Sequence, residues 1–235
     1  MKGTEMRVWV DQFDFSSATS QVDVTFEVGE AERTSLASGA QEFVPLLPKC
    51  TVAQNGYFEG VLTNGFEAEM RTRFGAGQAV LTVVTQESDA NCVCYVLPEA
   101  TDYNMVFGAP VAGLVTLNGQ WGTAAGAVRG LRVFDGTFDA LEEGAVVDFG
   151  VGSTTGGQAF LHVAAITGTA VNALIRVQSS ANQVDWADEG TFTLSTVGGY
   201  RLTLTGTVGR YVRLACANLG GATAIRCMGV VSLSA

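Results

Sequence analysis

The stretch Val22-Asp23-Val24-Thr25-Phe26-Glu27-Val28 puts an apolar residue at every second position with a polar one between. Successive side chains of a strand point to opposite faces, so this is the pattern of a half-buried β-strand. Downstream the period changes once. Phe66, Met70 and Phe74 recur every four residues, with Glu67, Glu69, Arg71 and Arg73 among them. That spacing places three large apolar groups on one face of a short amphipathic helix. Thr63 or Asn64 can cap the helix, and Gly75 or Gly77 can end it. One helix in a chain that otherwise alternates like sheet, beside a long unpatterned segment, points to an architecture that assembles rather than one that catalyses.

Working outward, residues 6–15 read as a first strand and 21–28 as the cleanest one. Residues 29–49 break pattern, with Gly29, Glu30, Glu32, Gly39, Pro45 and Pro48 scattered through them. A structureless loop of about twenty residues is unusual inside a compact domain, and such loops are often functional. Its apolar island, Phe43-Val44-Pro45-Leu46-Leu47, would bury readily against a partner. Strand pattern returns at 50–62, 79–86, 92–98, 103–108, 111–121 and 128–134, which closes a first unit near residue 135. Short strands near 145–149, 158–166, 172–179, 191–195, 199–206, 209–217 and 223–233 follow, separated by Gly, Thr and Ser turns. Seven short strands over about 100 residues read as a β-sandwich. The expected organisation is mainly β, with one unit over 1–135 and an immunoglobulin-like or jelly-roll-type sandwich over 136–235.

The 235 residues are 47% hydrophobic and only 15% charged, below the roughly 25% charged of soluble domains. Few charges with abundant Gly, Val, Thr and Ala leave surface to be covered, and self-association is the simplest cover. The net charge is −10, with 8 basic and 16 acidic groups in residues 1–135 against 5 and 7 in 136–235. A nucleic-acid groove would concentrate Lys and Arg instead. No window reaches the 18 or so apolar residues of a membrane span. Met1-Lys2-Gly3-Thr4-Glu5 lacks the apolar run of a secretory signal, so a protein made and used from the cytosol is expected. Cys50, Cys92, Cys94, Cys216 and Cys227 are too few and too scattered for a disulfide scaffold. Buried free thiols are the expectation.

Enzyme chemistry finds few residues. His162, the single histidine, is framed by no nucleophile motif, and a hydrolase needs a nucleophile, a base and an orienting group. Glu142-Glu143 would point to opposite faces of a strand, and Glu30 and Glu32 lie in the irregular segment, so neither pair makes the facing carboxylates of a glycosidase. Asp185-Trp186-Ala187-Asp188-Glu189 gathers hard oxygens but lacks calcium-loop spacing. The default there is a solvated hairpin tip with Trp186 tucked into the sandwich. Gly75-Ala76-Gly77 follows a helix instead of preceding one, so it stops a helix and does not cradle phosphate. Arg210-Tyr211-Val212-Arg213 alternates as a strand, and with Trp186 it is a candidate glycan or outer-surface contact.

The order of strand 21–28, long segment 29–49, strand 50–62 with Asn55-Gly56-Tyr57-Phe58, helix 64–75, and strands 79–86, 92–98, 111–121 and Val128–Val133 resembles the siphophage major tail protein. The resemblance is one of layout over residues 1–135. It implies two packed β-sheets flanked by one helix, and no cofactor. Six subunits would form a ring by joining their sheets into an inner barrel, and rings would stack into the tail tube of a virion assembled in the host cytoplasm. The long loop would reach a neighbouring ring, placing Phe43, Val44, Leu46 and Leu47 at the contact. Partners implied are further copies of the chain and the tape-measure, tail terminator and tail-tip proteins. DNA would pass without specific binding, and the polar positions Asp23 and Glu27 are the lumen candidates. An acidic lumen repels phosphate, the reverse of the Lys and Arg contacts that bind it. Residues 136–235 resemble the C-terminal sandwiches that decorate some tail tubes, with cell-surface sugar as a candidate ligand. A capsid decoration protein and a carbohydrate-binding accessory module are the alternative readings.

Overall fold

The computed structural model describes residues 5–33, 40–41, 43–58, 66–123 and 126–234, apart from the side chain of Leu47. In chain order the elements are β1 (Arg7–Val10), β2 (Phe13–Asp14), β3 (Thr19–Glu32), β4 (Phe43–Tyr57), α1 (Phe66–Arg73), β5 (Ala79–Val84), β6 (Val93–Gly108) and β7 (Thr116–Thr123). Then come β8 (Val128–Phe138), β9 (Val147–Asp148), β10 (Gly157–Gly168), β11 (Ala173–Ser180), β12 (Ala187–Leu194), β13 (Gly198–Leu204), β14 (Tyr211–Asn218) and β15 (Ala222–Leu233). The protein is mainly β, with one α-helix among the described residues. Chain contacts divide it into two compact units. The first comprises residues 1–17, 79–98 and 128–235, and the second 18–78 and 99–127.

In the first unit, one sheet runs β13-β10-β15-β8-β6-β5-β1-β2 and a second runs β12-β11-β14-β9. Both faces of the first sheet are used. Ala159, Leu161 and Val163 of β10, with Ile225, Cys227 and Val231 of β15, pack with Ile175, Val177, Val212 and Leu214 of the second sheet. This is a sandwich core, as the short alternating strands predict. The alternate residues Phe160, Met228 and Val230 face the other way and join Trp9, Val80, Val84, Cys92, Cys94 and Val96 in a second core. A strand buried on both faces can serve two cores at once, and β10 and β15 do so.

The division near residue 135 therefore falls inside an element. β8 runs through it, pairing Asp135 with Met228 and Gly136 with Cys227 of β15. Residues 7–10 and 79–96 share their core with 160 and 228–230. Arg132, almost fully buried, binds this region together. Its guanidinium donates to the carbonyls of Glu87 (2.8 Å), Asp89 (2.5 Å) and Ala90 (3.3 Å) and pairs with Asp135 at 3.3 Å. The expected strand over 6–15 is a hairpin of β1 and β2, turned at Asp11, whose φ is +48°. His162 lies fully buried in this unit. Asp11 offers a carbonyl, which can only accept, so Nδ1 of His162 donates to it at 2.8 Å. Nε2 then accepts from the Thr82 hydroxyl at 2.7 Å. The five cysteines are all buried and free.

In the second unit a four-stranded antiparallel sheet runs β3-β4-β7-β6, using the 99–108 part of β6. The segment expected as the loop 29–49 is here mostly strand. β3 continues to Glu32 and β4 starts at Phe43, with Glu32 paired to Phe43. A register shift between Val28 and Glu30, with prolines at 45 and 48, breaks the period of two and hides the hairpin. Likewise 92–98 and 103–108 are one long strand, and 111–121 begins as strand only at Thr116.

Helix α1 covers the middle of this sheet. Phe66 and Met70 are buried as the four-residue spacing predicts. Phe74 is not part of the stripe: the helix stops at Arg73, Phe74 bridges Asp102, and its side chain is exposed. Gly75 ends the helix at φ +70°, donating its N–H to the Asp102 carbonyl at 2.8 Å. The candidate caps Thr63 and Asn64 lie outside the described residues. Two glycines let the helix approach. A Cβ on Gly56 would stand 2.8 Å from Phe66 and 2.5 Å from the Ala18 carbonyl, and one on Gly119 would stand 2.1 Å from the Met70 methyl. An eight-residue helix is marginal alone, so these contacts hold it. Beneath it, buried Gln54 accepts from the Trp121 indole N–H at 3.2 Å and donates to Thr19 at 2.7 Å.

Candidate assembly surfaces

Residues directly opposite in an antiparallel pair share a face. Val24 is opposite Val52, Phe26 opposite Cys50 and Val28 opposite Pro48, so these form the apolar face that α1 covers in part. Along β3 the cover runs out. Val22 and Val24 are half-buried, whereas Phe26 is 57% and Val28 61% exposed. On the arm apolar side chains lie on both faces: Phe43, opposite Glu32, and Val44, opposite Ala31, point to opposite sides, and Leu46 lies against Gly29 on the side of Glu27; all three are exposed. The apolar island is thus a paired strand at the end of a hairpin arm. Leu47 shares its backbone, and its side chain is outside the description.

The opposite face is polar. Asp23, Thr25 and Glu27 of β3 lie opposite Ala53, Thr51 and Lys49 of β4, followed by Asn55, and by Asn118 and Gln120 of β7. Both lumen candidates are on it. Glu27 pairs with Lys49 at 2.8 Å, and Asp23 accepts from Gln21 at 2.8 Å. Glu27 holds the Lys49 ammonium above its usual range, and burial raises the Tyr103 phenol nearby. The face is lined with amides and hydroxyls, and its one Lys offsets one of its two acids. An excess of negative charge in residues 1–135 does not become a strongly acidic face here.

The sheet also has two open sides. Among the described residues β3 pairs with β4 alone, and β6 from 103 to 108 pairs with β7 alone. Neither edge is readable from the sequence, because alternation shows that a strand exists and not what lies beside it. Asp102 was also illegible. It is buried at the register shift of β6, with Oδ1 accepting the Asn104 N–H at 3.2 Å and Oδ2 without a hydrogen-bond partner among the described residues. Burial pushes its carboxyl up to about 6.

The outer-surface candidates of the first unit do come together, on the outward face of the sheet β12-β11-β14-β9. Arg213 stacks 4.0 Å over the Trp186 ring while donating to Gln178 at 3.0 Å and approaching Glu143 at 3.4 Å. Arg210 clasps Asp148 through two 2.6 Å bonds and lies 5.1 Å over the Tyr211 ring. Trp186 is not in the sandwich core: it is half-buried outside it, with its indole N–H on the Gln183 carbonyl at 3.3 Å. One ring face is already taken by Arg213. The acidic run beside it diverges, with Asp185 on Asn182, Asp188 on Arg176 and Glu189 on Ser179. These groups pair with one another across the face.

No protein-family model matches the sequence, and a search of curated proteins returns no match. Among solved structures, the chain is similar to one from the tail of an empty gene transfer agent particle with C6 symmetry. There the TM-score is 0.40 at 12% identity, covering 54% of this chain and 96% of that one. It is similar to the SPP1 Dit protein of the adsorption apparatus of phages that infect Gram-positive hosts (TM-score 0.39, 10% identity, 97% and 98% covered). It is also similar to a chain of the sheath–tube complex of an extracellular contractile injection system (TM-score 0.39, 10% identity, 55% and 90% covered). At TM-scores below 0.5 these likenesses carry no argument about what this chain does.

Proposed function

We propose that the chain is a structural component of a phage tail, and more finely that it polymerises through its second unit into rings that stack as a tube. The observation that carries this is the sheet β3-β4-β7-β6. Among the described residues it has two edges that pair with nothing, one polar face and one apolar face covered only in its middle. Open edges invite pairing with another chain, and closure into a barrel is the arrangement that removes them. Joining the β3 edge of one copy to the β6 edge of the next repeats the same heterologous contact, which closes when the rotation permits. The polar face, with Asp23, Glu27 and Lys49, then lines the lumen. A ring of six, the number implied by the family resemblance, would have roughly 24 strands; at ~4.8 Å spacing and ~40° tilt the backbone barrel is about 50 Å across.

Amide hydrogen exchange tests the edge pairing. Comparing assembled and dilute protein, exchange over Val22–Val28 and Tyr103–Gly108 is expected to slow by tenfold or more on assembly. Rings that leave both segments as fast as in the monomer would overturn the assignment.

A further inference from the structure

The sandwich of the first unit is open at one end. Val133 of β8 and Val231 of β15 are fully buried in its core, and Leu131 pairs with Val231. Along both strands the cover then runs out. Leu131 and Leu233, each two residues nearer this end, are half-buried against the core, and Arg129 is exposed. On the other side β9 ends at Asp148, followed by Phe149, half-buried against the same core, and by exposed Val151. Between them lies a cleft of about 480 Å³, whose lining includes Arg129, Leu131, Phe149, Val151, Leu233 and Ser234. Small-molecule sites span roughly 300–1,000 Å³.

The lining carries one charge. Segments 149–175 and 227–235 contain no Asp, Glu, Lys or Arg, and no acidic side chain among the described residues lines the cleft. Arg132, Arg210, Arg213 and Arg226 of the same unit each pair with a carboxylate. Among the described residues the Arg129 guanidinium pairs with none; only its backbone is engaged, its carbonyl accepting from the Ser232 hydroxyl at 2.8 Å. We infer that this cleft binds a small amphipathic anion, an aliphatic or aromatic body carrying a single carboxylate, sulfate or sulfonate. The body covers Leu131, Phe149, Val151 and Leu233, removing from water the apolar surface that the two sheets leave wet. The acid group accepts the N–H donors of Arg129, whose planar fork matches its oxygens. A neutral molecule of the same shape gains the first contribution without the second, and a cation is repelled. The site does not depend on ring formation.

Isothermal titration calorimetry of the full chain with decanoate, decanol and decylammonium, each kept below micelle formation, tests the site. One decanoate per chain is expected, with decanol binding about tenfold more weakly and decylammonium more weakly still. Added salt should weaken decanoate and leave decanol nearly unchanged, a comparison that needs no variant. Arg129→Gln changes an exposed side chain and is checked for wild-type far-UV circular dichroism. It should bring decanoate down to the affinity of decanol without altering decanol itself. Val151→Asp, also at an exposed position, should weaken decanol about fivefold by placing a charge in the apolar wall. Absence of saturable binding at one decanoate per chain, equal affinities for the three ligands, or full decanoate affinity in Arg129→Gln would each overturn the inference.

Discussion

Ending the chain after Asp135 is expected to destroy the first unit rather than release a working N-terminal domain. The cut removes β15, the partner of β8, and β10 beyond it. Phe160, Met228 and Val230 leave the core they share with Trp9, Val80, Val84 and Val96. Losing one large buried side chain typically costs about 3–5 kcal/mol, and a domain has only about 5–15 kcal/mol in all. Loss of three side chains and their strands exceeds that margin. Residues 1–135 expressed alone should be insoluble or protease-sensitive throughout 5–17 and 79–98. A soluble fragment with a cooperative melt and protected amides in β1 and β5 would refute the shared core.

Acid is expected to weaken the same unit through His162. Burial, set against the hydrogen bond that His162 donates to the Asp11 carbonyl, holds the imidazole down to about 4 from an ordinary 6.5. The unfolded chain binds the proton first, so the stabilising contribution is full above pH 6.5 and is lost as pH falls towards 4. At about 1.4 kcal/mol per pH unit the loss is about 3 kcal/mol, or about 6–12 °C in Tm for a chain of this size. Asp102 acts oppositely. Its carboxyl, raised to about 6, contributes stability that is full below 3.8 and lost as pH rises through 6. Between pH 4 and 6 the two slopes oppose. The comparison is therefore with His162→Gln, whose amide can serve both Asp11 and Thr82 and does not titrate. From pH 7 to 4 the wild type should lose about 3 kcal/mol more than this variant by urea unfolding. Parallel profiles would show that His162 is not the group responsible.

The alternation of Val22–Val28, the burial of Phe66 and Met70 and the short strands after 136 were legible, because each is a local periodicity that the structure repeats. The apolar island was legible as exposed surface. Its strand was not, since Pro45, Pro48 and a register shift erase the period of two. Phe74 continued a spacing that the chain stops obeying one residue earlier, at Arg73. The shared core was hidden for a different reason. Phe160 and Trp9 are 151 positions apart, and nothing in either strand's own pattern names its partner. Trp186 looked like a core tryptophan by type, but Arg213 holds it outside. The two sheet edges were invisible because they are defined by what does not pair with them.

Negative-stain electron microscopy of the purified protein across a concentration series tests the central claim most directly. Hollow rings with a barrel about 50 Å across, passing to stacked tubes as concentration rises, are expected. Uniform small particles at every concentration, with β3 and the 103–108 part of β6 freely exchanging throughout, would contradict it.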